Sequence, residues 1–278
     1  MRDRNDVYKI IINQKSKTLY INSSIIPKSS DFIGKLNAVL FKPSDLELFT
    51  QAPSERRKIL DIEIGKVDNN YLRALFKYNS LLRDKNKLLK ELQVDEALLS
   101  IIEEAMVPVI STIIYERERF VSIINLYISK YYAMISGVKS EIKIYYDRCC
   151  DVEDVKLSIK KHKEKDMYYH YATFGPHRED IKFTIGDVDI NSIASQGQKR
   201  MVMIAFKYSL IKYIYERTNK VPIVLLDDVL SELDKDNKER LLNNLPKNTQ
   251  IILTNTDIRN IQINEDFNLI NLKEEENV

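Results

Sequence analysis

Hydrophobic and polar positions change rhythm twice along this chain, and each change marks a different architecture. Residues 7–50 alternate in the β manner. Val7 to Ile12 and Thr18 to Ile21 flank polar Asn13 to Lys17, which predicts a hairpin. Val39-Leu40-Phe41 predicts a further strand, closed by Lys42-Pro43-Ser44-Asp45. From about Pro53 to Ile135 the period becomes helical. Tyr71, Leu75, Tyr78, Leu82 and Leu89 share one face of a long amphipathic helix; Leu98, Ile102, Ala105, Val109, Ile113, Phe120, Ile124 and Tyr131 mark a second. Pro108 lies inside that second run and predicts a kink or break near Met106. An antiparallel helical arm and a separate helical bundle fit this periodicity equally well.

After Gly137 the rhythm becomes mixed. Glu141 to Tyr146 reads as a strand, 151–165 as a charged helix with a solvated His162, and Tyr168 to Phe174 as a β segment. Ile181 to Ile190 predicts a hairpin turning at Gly186-Asp187. Ile204, Tyr208, Ile211 and Tyr215 put one apolar stripe on a helix starting near Ser195. Ile223 to Leu226 is a buried strand, Lys235 to Leu245 a helix, and Gln250 to Leu253 a final buried strand ending in Thr254-Asn255-Thr256-Asp257. The last dozen residues are polar and expected to fray. Alternating strands and helices give an α/β fold.

Composition narrows the function classes without choosing one. With 278 residues, 30% charged and 44% hydrophobic, the chain can bury a core in one or two domains. A net charge of +2 predicts no general affinity for nucleic acid, so any basic surface has to be local. No uninterrupted apolar run reaches the roughly 18 residues of a membrane helix, and Met1 to Asp6 opens no signal peptide. A cytoplasmic protein with no membrane partner is the expectation. Cys149 and Cys150 are adjacent and the only histidines are 162, 170 and 177, a set ill suited to zinc.

Two constellations carry chemistry. The apolar run from Ile223 ends abruptly in Asp227-Asp228. A buried parallel strand delivering acids at its C-terminal end is how nucleotide-binding α/β folds place Mg²⁺ chemistry. The first carboxylate holds the metal and the second orients or deprotonates an attacking water. Some thirty residues upstream, Ser195-Gln196-Gly197-Gln198-Lys199-Arg200 opens a helix with a capping Ser and a Gly that lets another backbone come close. Free N–H groups of such a first turn attract phosphate. Each constellation alone has a bland reading, a strand that merely ends in acids and an ordinary capped helix.

A third motif narrows the family. Gly175-Pro176-His177-Arg178-Glu179-Asp180, then Ser195 to Arg200, then Leu225 to Asp234, resembles the RecF family of bacterial recombinational-repair ATPases, related to SMC heads. Phe41, Pro43, Asp45, Leu46, Pro53, Arg56, Arg57, Leu60 and Asp61 follow the same family's pattern, and the resemblance runs from roughly Val7 to Asp257. It implies a partial ABC-type (P-loop NTPase) head with an inserted antiparallel helical arm. Residues 1–52 and 166–278 would form the head and 53–165 the arm. It also implies ATP and Mg²⁺ as cofactors, an ATP-dependent homodimer, DNA at single-strand/duplex junctions, and cooperation with RecR and RecO in recombination.

Residue by residue, the resemblance makes Asp227 the Mg²⁺ ligand and Asp228 the catalytic carboxylate. Ser195, Gln196, Gly197 and Gln198 are the signature that touches nucleotide held by the other subunit. Ser231 and Asp234 form the turn crossing the interface, and Asn255 or Thr256 senses the γ-phosphate. Arg56, Arg57 and Arg178 are candidate DNA contacts, with an ion-paired strand end or a solvated helix face as alternatives. One part is missing. The six glycines stand at 34, 65, 137, 175, 186 and 197, and no two are five apart, so no Gly-x4-Gly-Lys-Ser/Thr phosphate loop is present. Family members carry that loop in an N-terminal segment, so the chain is expected to lack ATP hydrolysis alone and to leave a sheet edge and apolar surface uncovered. Three readings stay open: an ATPase completed by another chain, a non-enzymatic module binding DNA or partner heads, and an inactive relic. The head of another SMC-like ATPase is the runner-up family.

Overall fold

The computed structural model describes residues 6–13, 16–28, 31–255, 268 and 270. The chain opens with β1 (Tyr8–Asn13), β2 (Ser16–Ile21) and β3 (Ser24–Ile26), an antiparallel meander in which Ile10 faces Leu19. The predicted hairpin is therefore present. β4 (Ala38–Phe41) leads through a 3₁₀ turn at Pro43–Phe49 into α1 (Pro53–Gly65) and α2 (Asn69–Leu88). Asp68 caps α2, its carboxylate accepting the N–H groups of Asn70 and Tyr71 at 2.8 and 2.9 Å.

α3 (Glu96–Ser136) is a single helix of 41 residues, about 60 Å long. Of the kink or break expected from sequence, the break is absent, and the helix runs on through Pro108. Burial of the inner face overrides the local cost of proline, with Met106 at 1% exposure and Ile110 and Ile113 at 0%. By length and composition this helix contains a window apolar enough to cross a membrane, although charged residues interrupt its apolar run. Its inner face is instead part of the protein core.

β5 (Ile142–Asp147) follows, then α4 (Val155–Tyr169), β6 (Asp180–Ile185) and β7 (Val188–Asp189), with the β6–β7 turn at Gly186-Asp187 as expected. The β segment expected at 168–174 is not a strand. Tyr168 and Tyr169 finish α4, His170 ends it in the left-handed conformation, and the chain then turns irregularly. His162 is half-buried rather than solvated, its ring stacked on Phe174 at 5.0 Å. α5 (Ile190–Ile193) precedes α6 (Gln196–Thr218), β8 (Ile223–Asp227), α7 (Lys235–Asn243) and β9 (Ile251–Thr254).

β4, β8 and β9 form a parallel sheet in that order, with Phe41 beside Leu226 and Asp227 beside Thr254. One face packs on α6 through Val39, Phe41, Val224 and Leu226, all nearly inaccessible. On the other face Leu40 is exposed, and β9, expected to be buried, is an edge strand with Ile252 at 49% exposure. β5–β6–β7 is an antiparallel sheet laid on α3, where Asn125 and Ser129 bracket Ile144 and Ile142 through side-chain-to-backbone hydrogen bonds of 2.8–2.9 Å. α3 thus serves two bodies of structure. Its first half pairs with α2, and its second half packs on β5 and on α6, where Phe120 meets Tyr213 edge-on at 4.8 Å. A single hydrophobic cluster runs from Val39 to Leu245.

Candidate functional site

β8 carries its acids to the C-terminal end of the parallel sheet, as its apolar run demands. Asp227 is the last strand residue and is exposed. The neighbouring strand orients it: the Thr254 hydroxyl donates to Asp227 Oδ1 at 2.8 Å. The Asp228 N–H points to the same threonine, 3.2 Å from Oγ1 and 3.3 Å from its carbonyl oxygen. The residue beside the acids is thus Thr254, where the resemblance implies Asn255 or Thr256. Its position as the last residue of an apolar run parallel to β8 was the available signal. Asn255 is half-buried just beyond, and Thr256 lies outside the described residues.

Asp228 is unusual in two ways. Its φ is +52°, in the left-handed region that non-glycine residues enter at a cost. Its Oδ1 is buried with no hydrogen-bond partner among the described residues. A buried carboxylate oxygen without a donor is costly. Backbone strain of this kind clusters at functional sites, and an unsatisfied buried oxygen calls for a partner. Among the described residues no group of three or more His, Cys, Asp or Glu is placed to hold a metal ion, so a cation at these two acids would need further ligands from elsewhere. The chain turns directly after them, with Ser231 Oγ donating to the Asp228 carbonyl at 2.8 Å. Asp234 caps α7, Oδ1 accepting from Asn237 N at 2.8 Å.

The turn before α6 has the geometry its sequence predicts. Ser195 Oγ accepts from Gln198 N at 3.2 Å, and Gln198 Oε1 accepts from Ser195 N at 2.9 Å, a reciprocal capping box. Ser195, Gln196, Gly197 and Gln198 are all exposed. A Cβ on Gly197 would meet only Ser195 Oγ, at 3.9 Å, so nothing within this chain requires glycine there. Arg200 ties the first turn of α6 to the stretch after the acids, donating to Glu232 Oε2 at 2.6 Å and to its carbonyl at 2.8 Å. Ser195, Gly197 and Asp234 line one open groove with Tyr132 and Ser136. Within one copy, then, the capped turn opens onto a groove that the two acids, Asp227 and Asp228, do not line.

The basic candidates sit in internal contacts. Arg56 forms a two-pronged pair with Asp180 at 2.7 and 2.5 Å, and Arg57 donates to the Glu179 carbonyl at 2.6 Å. Arg178 is exposed, its guanidinium 5.2 Å over the Tyr171 ring. The motif from Gly175 to Asp180 is the hub of a buried network. Arg117, 2% exposed, reaches Glu179 at 2.6 Å, Asp61 at 2.7 Å and the Pro176 carbonyl at 2.9 Å. Tyr71 and Tyr146 hydroxyls donate to Asp61 and Glu179, and burial pushes both phenols up. His177 Nε2–H donates to the Ala172 carbonyl, leaving Nδ1 to accept the Tyr78 hydroxyl at 2.5 Å. Burial, with Arg178 and Arg57 nearby, holds this imidazole neutral by lowering its pKa to about 4.

The chain is 34% identical over 269 residues to the DNA replication and repair protein RecF of Lactobacillus delbrueckii subsp. bulgaricus, a match spanning 91% of this chain and 70% of the relative. It is 34% identical over 261 residues to the protein of the same name from Streptococcus gordonii, spanning 91% and 72%. Two solved structures superpose closely. The recombination mediator protein RecF-ATPrS in the RecFOR pathway gives a TM-score of 0.81 at 29% identity, over 92% of this chain and 72% of that one. RecF-ATP in the same pathway gives 0.80 at 31% identity, over 89% and 69%. No family model matches the chain.

Proposed function

Because the chain belongs to the RecF family of DNA replication and repair proteins and has its α/β ABC-type head, we propose that it supplies the acid and signature halves of an ATP-driven head dimer acting on DNA. The observation that carries this reading is a strained Asp228 with an unsatisfied buried oxygen, together with an exposed capped turn at Ser195 whose groove the two acids do not line. In this reading the acids of one copy and the signature of the other act on the same phosphate. Homodimerisation on nucleotide, recombination at single-strand/duplex junctions, cooperation with RecO and RecR, and a cytoplasmic setting belong to the same proposal.

Each residue then has a task. Asp227, oriented by the Thr254 hydroxyl, would hold Mg²⁺, which when bound offsets the charge of the phosphates. Asp228 Oδ1 would accept a proton of the attacking water and so orient it in line. On the other copy, Ser195 Oγ already accepts from Gln198 N, so its own O–H remains to donate to a phosphate oxygen. Gly197 exposes backbone N–H at the positive end of α6. The phosphate cradle has to come from residues other than these 278, since no Gly-x4-Gly-Lys-Ser/Thr stands among them.

Co-expression with a phosphate-loop segment taken from a RecF relative, followed by sedimentation with ATP, tests the arrangement. ATP is expected to drive dimer formation, Gly197→Glu to abolish it by placing a like charge at the anion site, and Asp228→Asn to keep the dimer while removing hydrolysis. Hydrolysis that survives Asp228→Asn, or dimers indifferent to Gly197→Glu, would refute the reading.

A further inference from the structure

The stretch that failed to become a strand carries a surface feature outside the nucleotide site. Tyr168 is 77% exposed, Tyr169 48% and Tyr171 41%, three large aromatic side chains within four residues. They are not scattered. The rings of Tyr168 and Tyr169 meet edge-on at 5.1 Å, and those of Tyr169 and Tyr171 lie 5.9 Å apart, tilted by 34°. The Arg178 guanidinium caps the last ring at 5.2 Å.

The backbone beneath holds this cluster in place. His170 adopts φ +58° between the second and third tyrosines, and its Nδ1 hydrogen-bonds the Leu89 carbonyl at 2.9 Å. Ala172 N donates to Asn86 Oδ1 at 2.7 Å, and the Ala172 carbonyl accepts from His177 and Arg178. The platform is thereby fastened to the C-terminal end of α2. A solvent-facing aromatic cluster gains little by burial where it stands, yet it is anchored at four points.

Charge around it is predominantly basic. Lys161 and Lys165 precede Tyr168 and Tyr169 by one and two turns of α4, both exposed. Arg83 and Lys87 on the end of α2, and Lys90 just beyond it, are exposed beside the anchors of His170 and Ala172. The opposing exposed acids on the same segments are Asp84, Glu91 and Glu164, which with Arg178 leaves six cations against three anions. Aromatic faces that project into solvent within a basic field are what unstacked nucleobases on a phosphate backbone recognise. Tyrosine and arginine alone would also suit a protein partner, but lysine is depleted at such interfaces, and the lysines here favour a polyanion.

We propose that Tyr168, Tyr169 and Tyr171, with Arg178, form a stacking platform for unpaired bases of single-stranded nucleic acid. The choice of ligand rests on the DNA reading above, but the site is independent of ATP. It gives the single-stranded arm of a junction its own contact, separate from any duplex surface. Stacking uses the ring and not the hydroxyl, so phenylalanine suffices and alanine does not.

Fluorescence anisotropy of the 278-residue chain with an oligothymidylate, the same strand made abasic, and a blunt duplex tests this without nucleotide. The wild type is expected to bind the oligothymidylate roughly tenfold more tightly than the abasic strand. Tyr168→Ala with Tyr169→Ala should erase that preference, Tyr168→Phe with Tyr169→Phe should retain it, and duplex affinity should be unchanged by either. The proposal is overturned if the alanine pair binds the oligothymidylate as the wild type does, or if the wild type does not prefer bases to abasic sugar. Binding to duplex alone would sink the platform and spare the DNA reading; binding to neither would sink both.

Discussion

Arg117 and Glu179 meet at 2.6 Å, where their side chains are 2% and 0% exposed, joining the middle of α3 to the strand entry sixty-two residues later. Asp61 completes the pairing at 2.7 Å from the other side of the guanidinium. A buried guanidinium is tolerable only while its donors are matched by acceptors. Arg117→Met leaves Glu179 uncompensated in the core and is expected to destabilise the protein by about 3–5 kcal/mol. Urea denaturation followed by circular dichroism measures it; a loss below about 1 kcal/mol would mean that the pair is dispensable.

Gly175 fits where no other residue can. Its φ is +129°, and a Cβ there would stand 2.5 Å from the Tyr78 hydroxyl. Gly175→Ala is expected to cost about 2–4 kcal/mol through strain and overpacking together. Tyr78→Phe removes the clashing oxygen, so the double variant should be less destabilised than the sum of the two single changes. Strict additivity in a thermal-melt cycle would contradict this origin of the strain.

His177 ties stability to pH. Its pKa in the folded protein is lowered from 6.5 to about 4, so between those values the unfolded chain binds a proton that the folded chain does not. Stability is thus fully present above about pH 6.5 and is lost as pH falls towards 4, by up to about 3 kcal/mol. His177→Gln should flatten that slope in denaturation midpoints measured between pH 7.5 and 4.5. An unchanged slope would assign the acid sensitivity to carboxylates instead.

Asp228 should be better for function than for stability. Asparagine also tolerates a positive φ and removes the charge behind the unpaired oxygen. Asp228→Asn is expected to hold or raise stability by up to about 1 kcal/mol. Should the substitution lower it by that much or more, the carboxylate would be a structural group, and its catalytic assignment would lose its main physical support.

Some elements follow from chemistry between near neighbours in the chain. The apolar run into Asp227 made β8, the Ser195-to-Gln198 capping box started α6, and Gly186-Asp187 turned the β6–β7 hairpin. Each depends on residues within a few positions of one another. Proline at 108 misleads for the complementary reason: its cost is local, whereas the burial that overrides it comes from elements distant in sequence, α2 foremost in this half of α3. Only the tertiary structure decided what the Gly175-to-Asp180 motif is for. Arg56 could have faced a phosphate or a partner within the fold, and it found Asp180, 124 residues away. Thr254 could be matched to Asp227 only once β9 lay parallel to β8 in a fixed register. Period and caps are written along the chain, but the partner of a charge is chosen by distances that exist only after the chain has folded.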